Sequence, residues 1–412
     1  MPDPNCRFCG APLTHEFVDL GSTPLANAYL TQAQIDQGLD KSYPLHARVC
    51  ESCFLVQVEA PVAPEKIFDD SYAYFSSYSA SWVAHAKRYA ETMTERFKLG
   101  PQSLVLEVAS NDGYLLQHFV AAGIPVLGVE PAANAAEVAR EKGVPTEVAF
   151  FGEETARALV ARGVQADLTA ANNVLAHVPD IGDFIRGFAV ILKPEGVSTF
   201  EFPHVLNLIR GWQFDTIYHE HYSYLSLVTI EKVLASAGLR AFDVEEWPTH
   251  GGSLRLFVCC KDASHRETDA LRAMRVKERD FRLDSVEGYE GFAEKVATVR
   301  LAFRDFLDRA KREGKKVAAY GAAAKGNTFL NVCGVTHADI DCVFDLSDIK
   351  QGRFLPGSHI PILAPAEIDR VRPDYLVILP WNLRDEIMKQ TASLRSWGGK
   401  FVTAVPTTRI YE

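Results

Sequence analysis

The sequence predicts a three-part α/β protein. A small cysteine-held unit comes first (1–65), then a doubly wound parallel sheet with helices on both faces (66–262), then a second, smaller α/β unit (263–412). Three observations predict this. Four of the eight cysteines fall in the first 53 residues as two C-x-x-C pairs. From Ser103 onward, short apolar runs alternate with helical patterns, as βα units do when they bury a parallel sheet under helices. At Lys315 the alternation starts again after a highly charged stretch, and a chain of 412 residues has room for two or three such domains.

The first pair is Cys6-Arg7-Phe8-Cys9 and the second Cys50-Glu51-Ser52-Cys53, with 40 residues between them. Each C-x-x-C presents two sulfurs from one tight turn, and two turns complete a tetrahedral thiolate site for zinc. With all four positions filled by protein, that zinc is expected to be structural. Residues 64 to 98 read as a helical collar carrying aromatics, Tyr72, Tyr74, Phe75, Tyr78 and Trp82 among them. Strands are then expected at Ser103–Val108, Ile124–Val129, Asp167–Ala171, Val197–Phe202, Arg240–Glu245 and Leu254–Cys259. Charged helices at Glu267–Arg282 and Tyr289–Arg312 read as a long connecting segment. Strands near Lys315–Gly321, Ile340–Phe344 and Asp374–Leu379 belong to the last unit.

Apolar residues make up 47% and charged residues 23% of the chain, which is ordinary globular composition. The net charge of −10 disfavours nucleic acid and anionic membranes as partners. The start carries no secretory signal, and no run of about 18 apolar residues suggests a membrane span. A cytoplasmic protein, monomeric or weakly oligomeric, is the expectation.

In open parallel sheets ligands bind beyond the carboxyl ends of the strands. The first strand of the middle unit ends at Glu107 and runs into Ser110-Asn111-Asp112-Gly113, and the second ends at Glu130, 23 residues after Glu107. A carboxylate there can accept both ribose hydroxyl protons. G-x-G-x-x-G and a P-loop are both missing, so a nucleoside ligand without a pyrophosphate fits better than a dinucleotide, and S-adenosylmethionine is such a ligand. Asn172, Asn173 and His177, after the strand Asp167–Ala171, can line the same pocket. The densest polar cluster is Tyr218-His219-Glu220-His221-Tyr222-Ser223-Tyr224. His219 and His221 lie two apart, which is not the H-E-x-x-H metal spacing, and acid/base work is the better reading. His250, Ser253 and Arg255 border small residues that permit close approach to an oxygen-rich ligand. In the last unit Tyr320 ends a strand, and Lys325, Gly326 and Asn327 open a helix suited either to a pyrophosphate or to tight helix–strand packing. Asp345 stands at the tip of the next strand.

In combination these motifs resemble the zinc-containing sugar C-methyltransferases that act on nucleotide-linked keto-deoxysugars in antibiotic pathways. The match spans nearly the whole chain: both C-x-x-C pairs, Tyr72 to Ser79, Glu-Val-Ala-Ser-Asn-Asp-Gly-Tyr, Asn-Asn-Val-Leu-Ala-His-Val, Tyr-His-Glu-His-Tyr-Ser-Tyr, His-Gly-Gly-Ser-Leu-Arg and Gly-Ala-Ala-Ala-Lys-Gly-Asn. The resemblance implies a zinc-binding domain, a central class I methyltransferase (Rossmann-like) domain and a C-terminal Rossmann-like domain that helps hold a nucleotide-sugar, dTDP-linked in type. It implies Tyr72, His177, Tyr218, Glu220 and His221 as active-site residues, with Tyr72 and Ser79 also near the methyl donor and Tyr222 near the sugar. The expected reaction is methylation at C3 of a 4-keto-6-deoxysugar through an enolate, with His221 as base and inversion at carbon. Sugar O- or N-methylation, or an NAD-dependent reaction on a nucleotide-sugar, are the alternatives.

Overall fold

The structure, a computed structural model, describes residues 4–59 and 75–412. Strands are numbered β1–β17 in chain order and form three sheets among these residues.

The N-terminal sheet was not visible as strands in the sequence. β1 (His15–Pro24), β2 (Ser42–Val49) and β3 (Val56–Val58) pair antiparallel. β2 alternates as strands do, with Leu45, Ala47 and Val49 buried and the residues between them more exposed. The fourth strand of this sheet comes from far along the chain. β9 (Ser223–Tyr224) pairs with β3 through Val56↔Tyr224 and Gln57↔Ser223.

The central sheet holds β4 (Val105–Val108), β5 (Val126–Val129), β6 (Thr146–Glu147), β7 (Ala166–Asn172), β8 (Leu192–Pro203), β10 (Leu239–Trp247) and β11 (Ser253–Cys260). Their order is β10-β11-β8-β7-β4-β5-β6. β4 to β8 run parallel, and every residue of β4 is buried, as a strand covered on both faces requires. One strand departs from the all-parallel expectation: β11 is antiparallel to both neighbours. The physical reason is the short link Pro248–Gly252 between β10 and β11, which can reverse the chain but is too short for a crossover.

The third sheet has the order β14-β13-β12-β15-β16-β17. β12 (Val317–Tyr320), β13 (Val343–Phe344), β14 (Ile362–Leu363), β15 (Tyr375–Ile378) and β16 (Lys400–Thr403) are parallel, and β17 (Arg409–Tyr411) closes the edge antiparallel.

The charged segment before this domain does two different jobs. Helix Asp269–Asp280 packs on the central sheet, with Leu271 and Met274 in that core. Helix Phe292–Arg312 buries Phe292, Val296, Val299, Phe303, Phe306, Leu307 and Ala310, a stripe at helical spacing. Phe292 stacks on Phe17 of β1, ring centres 4.5 Å apart. One apolar cluster therefore runs from Phe17 and Leu45 through Phe303 to Phe329 and Val377, so the N-terminal sheet shares a core with the last domain. No helix among the described residues is long and apolar enough to cross a membrane.

Candidate active site

The four sulfurs of Cys6, Cys9, Cys50 and Cys53 all lie within 4.8 Å of one another, with Cys6–Cys53 and Cys9–Cys50 at 3.5 Å. A tetrahedron of thiolates about 2.3 Å from zinc has edges of about 3.8 Å, so the donor set fits the ion. Both turns are built alike: Gly10 N–H donates to Cys6 O and Phe54 N–H to Cys50 O. Gly10 takes φ 73° and Phe54 φ 64°, so the second knuckle adopts the left-handed turn without a glycine. The Gln57 amide donates to Cys6 Sγ at 3.2 Å. The zinc unit is tied to helix Leu227–Ser236 by Lys232 Nζ to Ser52 O (2.8 Å) and Thr229 Oγ1 to Cys53 O (3.2 Å).

At the carboxyl end of β4 the chain turns through Ala109 (φ 57°), Asn111 (φ 48°) and Gly113 (φ 75°). Glu130, at the tip of β5, accepts from Asn111 N–H and Ala132 N–H, both at 2.9 Å. Asp112 accepts from Lys142 Nζ at 2.9 Å and from the Ser77 hydroxyl, and Asn111 Oδ1 accepts from Ser76 N–H at 2.8 Å. Around this turn several buried polar atoms, Ser110 Oγ, Asp112 Oδ1 and Asn173 Oδ1, have no hydrogen-bond partner among the described residues, and the buried Glu107 carboxyl and Asn172 amide have only the Tyr114 hydroxyl beside them. Such a concentration of orphaned acceptors at strand ends fits a polar ligand carrying donors and positive charge, as S-adenosylmethionine does. Burial pushes the Glu107 carboxyl well above its ordinary range, and Glu130 and Asp112 push the same way. Trp82 stacks on Tyr114 (5.9 Å) and meets His250 edge-on (5.4 Å) beside this pocket.

The polar cluster lies between this pocket and the last domain. His221 Nδ1 faces the Thr216 carbonyl at 2.9 Å, and Nε2 lies 2.6 Å from the Tyr218 hydroxyl. A carbonyl only accepts, so Nδ1 carries the proton and the Nε2 lone pair receives the phenol. The His177 ring, in the turn after β7, packs edge-on to His221 at 4.6 Å. Burial, then His177, push His221 well below its usual range, and the Lys325 and His250 charges add to this. Burial alone takes His177 down to about 4. The Glu220 carboxyl, buried, is pushed up to about 7 by desolvation, and both its oxygens accept from Asn27 Nδ2 at 2.9 Å. His250 takes φ 53° and accepts at Nε2 from Asn173 Nδ2 at 3.1 Å.

The last domain supplies Lys325. Its ammonium is buried with no hydrogen-bond partner among the described residues, 5.5 Å over the Trp381 ring. Trp381 Nε1 donates to Asp215 Oδ2 at 2.8 Å, and Asp215 immediately precedes the Thr216 carbonyl that anchors His221. Burial pulls Lys325 down from its usual range and Asp215 holds it up.

Other sequence-predicted residues stand elsewhere. Tyr72 lies outside the described residues. Ser79 caps helix Ala80–Phe97, its hydroxyl accepting from Trp82 N–H, while Ser76 and Ser77 reach the β4 turn instead. Tyr222 is buried under the Arg7 guanidinium on the zinc-domain side. Arg255 is committed to Glu201 (2.6 Å) and Glu245 (3.2 Å). Although burial raises the Glu201 carboxyl, His85 and Arg255 hold it down to about 2. Ser253 donates to Thr249 O, and Tyr320 packs in the far core of its domain near Gln390. A Cβ on Gly326 would meet Leu379 Cβ at 2.8 Å, so this glycine serves helix–strand packing. Asn327 is buried, with its carbonyl oxygen on Asn331. Asp345 accepts from Ala322 N–H (2.7 Å) and faces Lys350 (3.8 Å). Asn27, Lys142 and Trp381 carried no signal in the sequence, because the partner of each lies far along the chain, and Ser76 and Ser77 were legible only as part of the Tyr72–Ser79 motif.

Three family models match the chain in series: "Putative zinc binding domain" over residues 6–68, "Methyltransferase domain" over 82–244 and "C-methyltransferase C-terminal domain" over 248–406. Together, the sheet order, the four-thiolate site and these matches define a methyltransferase with a zinc-binding domain. C-methyltransferase NovU of Streptomyces niveus is 36% identical over 409 residues, 99% of this chain and 97% of that one. The chain therefore belongs to this C-methyltransferase family. Ubiquinone biosynthesis O-methyltransferase of Rhodopseudomonas palustris (strain BisA53) is 27% identical and covers 38% of this chain and 69% of its own. Among solved structures, magnesium protoporphyrin IX methyltransferase from Synechocystis PCC 6803 with bound SAH matches 43% of this chain and 82% of its own at 18% identity and TM-score 0.34.

Proposed function

We propose that the enzyme methylates C3 of a dTDP-linked 4-keto-6-deoxysugar, with inversion, in a deoxysugar branch of antibiotic biosynthesis. The reading rests on one observation: the Tyr218–His221 pair at 2.6 Å, with His221 locked by Thr216 into the tautomer whose Nε2 is a base. Carbon is a nucleophile only after losing a proton, so C-methylation needs a base where O-methylation could proceed from a hydroxyl.

Tyr218 and His221 act as one base. The C3 proton passes to the Tyr218 oxygen as the phenol's own proton moves onto His221 Nε2. The C3–H electron pair becomes the C3–C4 double bond, and charge collects on the 4-oxygen. Glu220, whose carboxyl burial pushes up to about 7, donates to that oxygen in its protonated form, and Lys325 places a buried positive charge beside the cluster. When bound, S-adenosylmethionine supplies the electrophilic sulfonium methyl. Glu130 holds its ribose hydroxyls, Asn172 and Asp112 take polar donors, and Trp82 shields the pocket from water. The nucleotide lies toward Asp345 and the turn before helix Ala324–Val332. A reducing cytoplasmic setting keeps the four thiols available to zinc.

The test is incubation of dTDP-linked 4-keto-6-deoxysugar in deuterated water, with and without S-adenosylmethionine. Exchange at C3 without the donor, and one new carbon-bound methyl at C3 with it, is the expected result. A methyl found on oxygen or nitrogen, or no exchange, overturns the reading.

A further inference from the structure

The zinc-binding domain does more than brace the fold. From the end of β1 its chain turns through Leu25 to Leu30 and reaches the catalytic cluster. Asn27 Nδ2 lies 2.9 Å from both Glu220 oxygens, and Asn27 is the one side chain among the described residues recorded as donating to that carboxyl. The same turn is fastened to the last domain. The Tyr29 hydroxyl donates to Ala322 O at 2.6 Å and lies 3.2 Å from Asn27 Oδ1. Leu30 and Phe354 exchange backbone hydrogen bonds at 3.0 and 2.8 Å. Three domains thus meet around this turn, and the side chain that touches the Glu220 carboxyl comes from the zinc-binding domain.

We infer that Asn27 is a positioning residue for the methyl transfer, holding the Glu220 carboxyl in orientation and balancing its two protonation states. The inference rests on the acid role given above to Glu220. An amide N–H donated to a carboxyl favours the ionised form, against burial, which favours the neutral one. Two other ionisable groups face Glu220: the Tyr29 phenol and the His177 ring, the latter bonded to the Glu220 backbone. Without the amide, burial acts unopposed and the carboxyl holds its proton to higher pH. The carboxyl also loses its fixed direction, which a proton donor to a developing oxyanion needs.

The test compares Asn27→Ala and the near-isosteric Asn27→Asp with Glu220→Gln and the double variant N27A/E220Q, all as full-length zinc-loaded enzyme. Zinc content and circular dichroism verify the fold. Both Asn27 variants are expected to lose on the order of 10- to 100-fold in kcat. Dissociation of S-adenosylmethionine should change little, and the alkaline limb of the pH–rate profile should move upward. N27A should cost nothing further in the E220Q background, because the lost interaction runs through Glu220. An unmoved alkaline limb, or full additivity of the two losses, overturns the role of Asn27 while leaving Glu220 as the acid. Wild-type activity in E220Q overturns both.

Discussion

At the scale of the residue, the cluster separates groups by what surrounds them. His221 is neutral because burial and neighbouring cationic groups disfavour its charge, while its tautomer is set by the Thr216 carbonyl. Glu220 is held near 7 by burial opposed by a single donated amide. Replacing His221 with Asn, or Tyr218 with Phe, should lower kcat by roughly 10² to 10⁴, the usual worth of a positioned acid or base. Calorimetric affinity for S-adenosylmethionine should stay within about threefold, since neither variant removes a partner of the β4 turn. The pH dependence follows from the sign of the Glu220 shift. Its folded value is raised, so the proton-donating form is abundant below about 7 and is lost as pH climbs through that value. A profile of kcat/KM should fall on the alkaline side, and Glu220→Gln should flatten that fall while lowering the plateau. The sequence revealed the residue types of this cluster but not their partners. Arg255 shows why: beside two glycines it reads as a ligand group, yet it lies among Glu201, Glu245 and His85, none of which is near it in the chain.

At the scale of the element, βα alternation was legible because buried parallel strands are continuous apolar runs bounded by turns. The N-terminal strands were not, since β1 and β3 carry mixed residues whose burial depends on what covers them. Ser79 illustrates the resolution of such reading: the helix begins beside it, so it caps, and the serines one turn earlier face the donor pocket. Element junctions also concentrate stability. Glu278, on helix Asp269–Asp280, accepts from Leu227 N–H (2.6 Å) and Val228 N–H (2.8 Å) and pairs with His204 at 2.7 Å, and the Glu278 and His204 side chains are both fully buried. It thereby caps helix Leu227–Ser236, which follows the Tyr218–Tyr224 segment. Glu278→Ala leaves a buried histidine and two amide donors without a partner, and should cost about 3–5 kcal/mol. A lowered urea midpoint followed by circular dichroism checks this, and an unchanged midpoint would contradict it.

At the scale of the whole molecule, the four-cysteine site is connected to the polar cluster through one sheet. β3 leaves the second knuckle and pairs with β9, the strand immediately after the Tyr218–Tyr222 segment. Removing zinc with a strong chelator should therefore unfasten β9 and the Asn27 turn together. Methyl transfer should be lost while S-adenosylmethionine binding to the central domain persists, read by activity and calorimetry on the same sample. Restored activity on adding zinc back would complete the test. By itself the sequence determined the three-part organisation and the four-cysteine zinc site, and it singled out the strand-end residues and the polar heptad proposed above to hold the donor and move the proton. Each of these is written in local spacing: C-x-x-C turns, apolar runs, an acid at a strand tip, a contiguous polar heptad. Tertiary structure alone decided that β11 runs backwards, that a strand from the catalytic segment completes the zinc-domain sheet, and that Asn27 and Lys325 flank the cluster from two other domains. Those facts depend on packing between segments remote in the chain, where burial and a partner's charge fix a side chain's role and its own neighbours in sequence carry no trace of either.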